Sequence, residues 1–145
     1  MQGTYEDGSD VNKEVRQTFS SMPTNAWGAN LYMLNGALLF THEIDSAYWK
    51  EWELFGMPGG VQVFLLLNFL LVLAVLWGFK RLLQGTSSGL LFSLFLAASG
   101  ILAFLIHSCL ILAGHPEFTL PASMTVLVSL LIVSLVQGFV TIKEL

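Results

Sequence analysis

Long apolar runs separated by short polar stretches occupy the chain from residue 26 onward. Four of these runs, at about 26–49, 61–79, 89–113 and 120–142, reach the roughly 20 residues that a membrane-crossing helix needs. Turn-forming residues such as Gly56, Pro58 and Gly114 stand between the runs, so the connections are short. The pattern predicts an all-α integral membrane protein, built as an antiparallel bundle of four transmembrane helices.

The first apolar run has aromatic residues at both ends, as membrane helices often do where they meet the lipid headgroups. Trp27 stands at one end, and Tyr48, Trp49 and Trp52 stand at the other. At roughly 1.5 Å per residue, the helix from Trp27 to Trp49 would cover about 33 Å, close to the thickness of the hydrocarbon layer. We expect this helix to continue to Phe55, before the glycine-rich turn.

The first 22 residues are polar and form a separate segment ahead of the transmembrane domain, which we assign to residues 23–145. Val11, Val15, Phe19 and Met22 would form one apolar stripe on a helix, which predicts a short helix lying on the membrane surface. A disordered tail is the alternative.

The composition and the distribution of charge agree with a membrane protein. Hydrophobic residues make up 54% of the chain and charged residues 11%. No basic patch with interleaved aromatic residues occurs, so nucleic acid is not an expected partner. In a four-span topology one side receives five basic residues: Lys13, Arg16, Lys80, Arg81 and Lys143. The other side has only Lys50, and this bias places both termini in the cytoplasm.

Ionisable residues interrupt the first and third apolar runs at matching depth. His42 and His107 each lie seven residues before the outer end of their predicted span, so both are about 10 Å inside the same face. Asp45 shares the helix face of His42, whereas Glu43 lies a quarter-turn away. Polar groups at such depth are costly and mark a candidate site. Asn35, in contrast, is expected to help pack the helices.

Three interpretations of this cluster remain open. The first is a site for zinc, iron or copper, which bind nitrogen and carboxylate ligands. Its candidate ligands are His42, Glu43, Asp45, His107 and His115. The second is a proton relay in a small proton-coupled carrier that acts as an oligomer. The third, which we favour, is a network of paired polar groups that locks the helices together.

The segment that follows the first span combines aromatic and charged side chains. Its residues are a candidate interaction surface: Tyr48, Trp49, Glu51, Trp52 and Glu53. They form either an interfacial aromatic belt or a docking surface for a partner on the outer side. The chain has no Ser/His/Asp arrangement at a recognisable spacing, so catalytic residues are not identified.

The run from His42 to Asn68 carries the motif H-E-I-D-x-x-Y-W-K-E-W-x-x-F-x-x-P-G-G. This run, about a fifth of the chain, resembles a family of small bacterial four-helix membrane proteins of unknown function. The resemblance implies a bacterial origin and a four-helix topology, and it implies no substrate. It directs attention to residues inside the motif: His42, Glu43, Asp45, Tyr48, Trp49, Glu51 and Trp52.

Taken with the resemblance, the sequence predicts a protein of the bacterial inner (plasma) membrane. We expect an accessory or structural subunit of a membrane complex, in contact with the lipid bilayer and with other membrane subunits or copies of itself. A membrane metal-binding protein or metalloenzyme is the first alternative, and the small proton-coupled carrier is the second.

Overall fold

The computed structural model describes residues 26–115 and 119–145, and every regular element within these ranges is helical. These two ranges contain four long α-helices and one short α-helix: α1 (Ala26–Tyr48), α2 (Glu51–Leu54), α3 (Gly60–Leu83), α4 (Ser87–Leu112) and α5 (Pro121–Glu144). The predicted all-α class is therefore confirmed. The polar N-terminal segment, residues 1–22, and its predicted interfacial helix lie outside the described residues.

Local sequence explains where the long helices begin. The side chain of Thr86 accepts a hydrogen bond from the backbone N–H of Gly89 at 3.3 Å, which caps the first turn of α4. Pro121 stands in the first turn of α5, where its missing N–H has no helical partner to lose. Gly59 precedes α3 with a φ of 85°, a conformation that favours glycine.

The predicted continuation of the first helix to Phe55 is wrong. Helix α1 ends at Tyr48, and Lys50 adopts a left-handed conformation with φ 54° and ψ 47° before α2 begins. A non-glycine residue in this region carries a strain of about 1–3 kcal/mol, which the surrounding structure must offset. The turn changes the direction of the chain, and the next residue, Glu51, is buried in the bundle.

The side chains of the long helices are distributed in the opposite way to those of a water-soluble bundle. Helix α5 buries four polar side chains: Ser123, Ser134, Gln137 and Thr141. Its exposed face is apolar and includes Val128, Ile132, Leu135, Phe139 and Ile142. Lipid can surround such a face, while the polar groups find partners inside the bundle.

Three of the described helices, α3, α4 and α5, are long and apolar enough to cross a membrane. Helix α1 is not among them, because its apolar stretch also contains asparagine, histidine and carboxylate residues. Length and composition therefore support three of the four predicted spans.

At one end of the bundle, helices α1 and α3 make direct contacts beside a cavity that both of them line. At the first end, the Tyr32 hydroxyl donates a hydrogen bond to the Val75 carbonyl oxygen at 2.9 Å. A Cβ atom placed on Gly36 would lie 3.3 Å from the Val75 side chain, so the two backbones are near each other. The opposite end, which carries α2 and is called the α2 end below, contains the candidate site.

Candidate functional site

His107 and Glu51 form a buried pair at the α2 end. The Nδ1–H of His107 donates to the Ala103 carbonyl oxygen at 2.9 Å, and Nε2 contacts the Glu51 carboxylate. Glu51 is only 7% exposed. Because a carbonyl oxygen cannot donate, Nδ1 must carry a proton, and one further proton lies between Nε2 and Glu51. The pair is either an imidazolium beside a carboxylate or a neutral imidazole beside a carboxylic acid.

His42 packs against this pair without joining it by a hydrogen bond. The rings of His42 and His107 meet edge to face, with their centroids 4.6 Å apart. His42 is 5% exposed, and its ring nitrogens make no hydrogen bond with any residue that the structure describes. It lines a cavity of about 230 Å³ between α1 and α4. A buried imidazole in this position keeps its hydrogen-bonding capacity.

Glu43 connects this cavity to a second one. It is half-buried, and it lines both the first cavity and a neighbouring cavity of about 320 Å³ next to α3. Glu51, Phe55 and Leu71 also line both, so the two cavities are adjoining parts of one space, which we call the Glu43 crevice. Asn68 of α3 lies along the second cavity.

Two of the five candidate metal ligands, Asp45 and His115, do not line the crevice. The Asp45 carboxylate accepts a hydrogen bond from the Ser123 hydroxyl of α5 at 3.0 Å. His115 follows the end of α4 and lines neither cavity. The structure therefore brings together His42, Glu43 and His107 and adds Glu51. Across residues 26–115 and 119–145, no group of three or more His, Cys, Asp or Glu residues has an arrangement suited to a metal ion.

The candidate interaction surface is divided by the fold. Tyr48 and Glu53 are exposed, and Trp52 is half-buried against Phe64 with ring centroids 5.2 Å apart. Glu51 differs from its neighbours, because its side chain is buried against His107 rather than presented at the surface. The binding of a partner by the exposed residues stays a prediction.

A second polar cluster, the central polar network, links α1, α4 and α5. Asn35 Nδ2 donates to Gln137 Oε1 at 2.7 Å, and the Ser134 hydroxyl donates to Asn35 Oδ1 at 3.1 Å. Gln137 Nε2 also donates to the hydroxyl and carbonyl oxygens of Ser93, at 2.9 and 3.1 Å. The Ser93 and Thr141 hydroxyls lie 2.8 Å apart. All five side chains are buried.

Sequence reasoning assigned only Asn35 of this network to helix packing and missed the other four residues. A signal was present on α5, where Ser134, Gln137 and Thr141 recur at intervals of three and four within an apolar helix. That spacing places them on one face, and polar residues on one face of a membrane helix tend to meet polar partners on another helix.

Buried leucines separate the central polar network from the crevice. On α1, Leu39 lies between Asn35 and His42, and on α5, Leu127 and Leu130 occupy the corresponding stretch. Among the described residues, therefore, no continuous chain of polar side chains connects the two clusters.

The bundle has an apolar outer surface and polar contacts inside, and three of its helices are long enough to cross a membrane. These features place the chain in the class of small helical membrane-type proteins. Within this class, the chain belongs to the family of unknown function DUF6713, whose model matches residues 29–144. The match includes the whole run from His42 to Asn68 and extends well beyond it. No curated protein and no solved structure matches the chain.

Proposed function

We propose that α1 is a fourth transmembrane span and that the protein resides in a bacterial inner membrane with both termini in the cytoplasm. The faces of α1 support this proposal. Its polar residues Asn35, His42 and Ser46 are buried, whereas its outward face includes Leu34 and Ile44, the latter 71% exposed. A mean hydropathy taken over the whole helix includes the residues of both faces, but lipid contacts only the outer face.

Labelling of single cysteines with a membrane-impermeant thiol reagent tests the topology. In a Cys109→Ser background, Glu53→Cys should react in intact cells, while Ser9→Cys and Gln84→Cys should react only after permeabilisation. Ser9 and Glu53 flank α1, so their reaction from the same side would show that α1 does not cross. Gln84→Cys is the control for α3, which is apolar along its length.

We infer further that the protein is an accessory or structural subunit of a membrane complex. The observation that carries this inference is that the buried polar groups are largely paired with one another between helices, as in the central polar network. Such pairing stabilises a scaffold. The leucine layer argues against a proton path through a single copy, and the separation of Asp45 and His115 from the crevice weakens the metal interpretation.

Native purification tests the accessory role directly. We expect the tagged protein, extracted in a mild detergent, to migrate with other subunits in fixed stoichiometry and to carry transition metal only at background. If it migrates alone or only as copies of itself, the accessory role is wrong. If it holds stoichiometric metal that the His42→Ala/His107→Ala variant loses, the metal interpretation replaces our proposal.

A further inference from the structure

Beyond the proposed accessory role, we propose that the Glu43 crevice is a binding site for an amphipathic organic cation. The ligand has an ammonium group with at least one N–H, attached to an apolar body. Its ammonium group lies between His42 and Glu43, and its body lies against the apolar walls of the crevice.

The first argument is the unmet hydrogen-bonding capacity of His42. This side chain is buried, lines the crevice and has no hydrogen-bond partner among the described residues. Its ring nitrogens are not fully enclosed, so a ligand in the crevice can reach them. A neutral imidazole has one nitrogen that accepts a hydrogen bond, and an ammonium N–H is a suitable donor. Bound ligand would supply the missing partner.

The second argument is the sign of the charge. Two carboxylates, Glu43 and Glu51, line both parts of the crevice, and no lysine or arginine in residues 26–115 and 119–145 lines either part. Glu51 is paired with His107, and the pair is neutral in either of its protonation states. Glu43, in contrast, lies beside the Asn68 amide and makes no ion pair with a lysine or arginine that the structure describes. A cation complements a carboxylate at this position, whereas an anion would be repelled by it.

The third argument is the apolar wall, which selects an organic cation over a bare metal ion. The rest of the lining is largely aliphatic and aromatic: Leu39, Phe64, Leu67, Leu71, Leu102 and Ile106. Hard metal ions need six or more oxygen ligands, which this wall does not supply. Leu67 and Leu102 are also exposed on the lipid-facing surface, so an apolar ligand can enter from the membrane.

Two sources share this chemistry, a free lipophilic amine and the amine headgroup of a phospholipid. The headgroup brings a phosphate. Among the described residues, no lysine or arginine lines the crevice to bind it, and His107 is already paired with Glu51. The nearest lysine in sequence, Lys50, is 62% exposed and pairs with Glu53. These observations favour the free amine.

Binding is measured in nanodiscs of phosphatidylcholine, which has no ammonium N–H, with empty nanodiscs as the blank. Octylammonium should bind the parent protein saturably, octyltrimethylammonium more weakly and octyl sulfate not at all. Glu43→Gln should weaken octylammonium binding by about tenfold or more, because it removes a charge-assisted hydrogen bond. His42→Phe, which keeps an aromatic ring against His107, should weaken it as well.

Glu53→Gln is the matched control, since it makes the same change of charge at an exposed position outside the crevice and should leave binding unchanged. Equal binding of octyl sulfate, or unaltered octylammonium binding in both the Glu43→Gln and His42→Phe variants, would overturn the proposal. Competition by phosphatidylethanolamine added to the nanodiscs would identify the lipid headgroup as the source, and its failure to compete would identify the free amine.

Discussion

Replacing Gln137 with methionine is expected to lower the free energy of unfolding by about 2 kcal/mol, because buried hydrogen-bonding groups on two other helices lose their partner. Gln137 accepts from Asn35 on α1 and donates to Ser93 on α4. Methionine has a similar length and shape but offers neither an amide donor nor a strong acceptor, so the loss measures the hydrogen bonds more than the packing.

Unfolding in mixed micelles, followed by circular dichroism, measures this loss. Gln62→Met is the control, because Gln62 is exposed and makes no side-chain hydrogen bond within the described ranges. A combined Asn35→Ala/Gln137→Met variant should lose less than the sum of the two single losses, since both remove the same bond. Equal stability of the Gln137 and Gln62 variants would show that the central polar network contributes nothing measurable.

The positions of the long helices follow from local sequence, and so they were predictable. The predicted span at 61–79 corresponds to α3 (Gly60–Leu83), and the one at 89–113 corresponds to α4 (Ser87–Leu112). Apolar runs and turn residues determine these elements with little help from tertiary contacts. The matching depth of His42 and His107 could also be predicted from the sequence, because it depends only on the rise per residue of a helix. In the structure, the rings of these two residues are in contact.

The positions of Asp45 and Glu51 differ from those expected from the sequence, because they depend on tertiary geometry. Asp45 lies three residues from His42, yet its carboxylate is paired with α5 because α1 packs extensively on that helix. The sequence places Glu51 on a surface, because it stands among aromatic and charged residues at the outer end of the first predicted span. The left-handed Lys50 breaks that helix, and no propensity favours a lysine in this conformation.

Helix α1, which we propose as a fourth span, does not meet a criterion based on length and composition alone. Two of its polar side chains, Asn35 and Asp45, bond to α5, and Asn35 is completely buried in the bundle. A criterion based on the mean hydropathy of a helix cannot distinguish a buried polar face from an exposed polar face. The pattern of the outward face is therefore the better guide to the environment of this helix.

Glu51→Ala is expected to destabilise the protein by about 2–3 kcal/mol, the largest single effect that the site predicts. The change leaves Nε2 of His107 buried without its carboxylate. Because His107 can release a proton, the loss should fall short of the 3–5 kcal/mol expected when a permanent charge is left unpaired. One of the contacts that hold α2 against the bundle is lost as well, while the packing of Trp52 on Phe64 remains, so the strained turn at Lys50 is offset less completely.

Comparison of three variants by the same unfolding measurement separates these contributions. Glu53→Ala should be nearly neutral, since its carboxylate is exposed and pairs only with exposed Lys50 at 3.7 Å. Glu51→Gln should lose less than Glu51→Ala, because the amide N–H can donate to Nε2 of a neutral His107. Replacing both Glu51 and His107 with leucine should restore much of the loss, since it leaves neither partner buried alone. If Glu51→Ala is as stable as Glu53→Ala, the buried pair does not hold α2 in place, and the strain at Lys50 must be offset by other contacts.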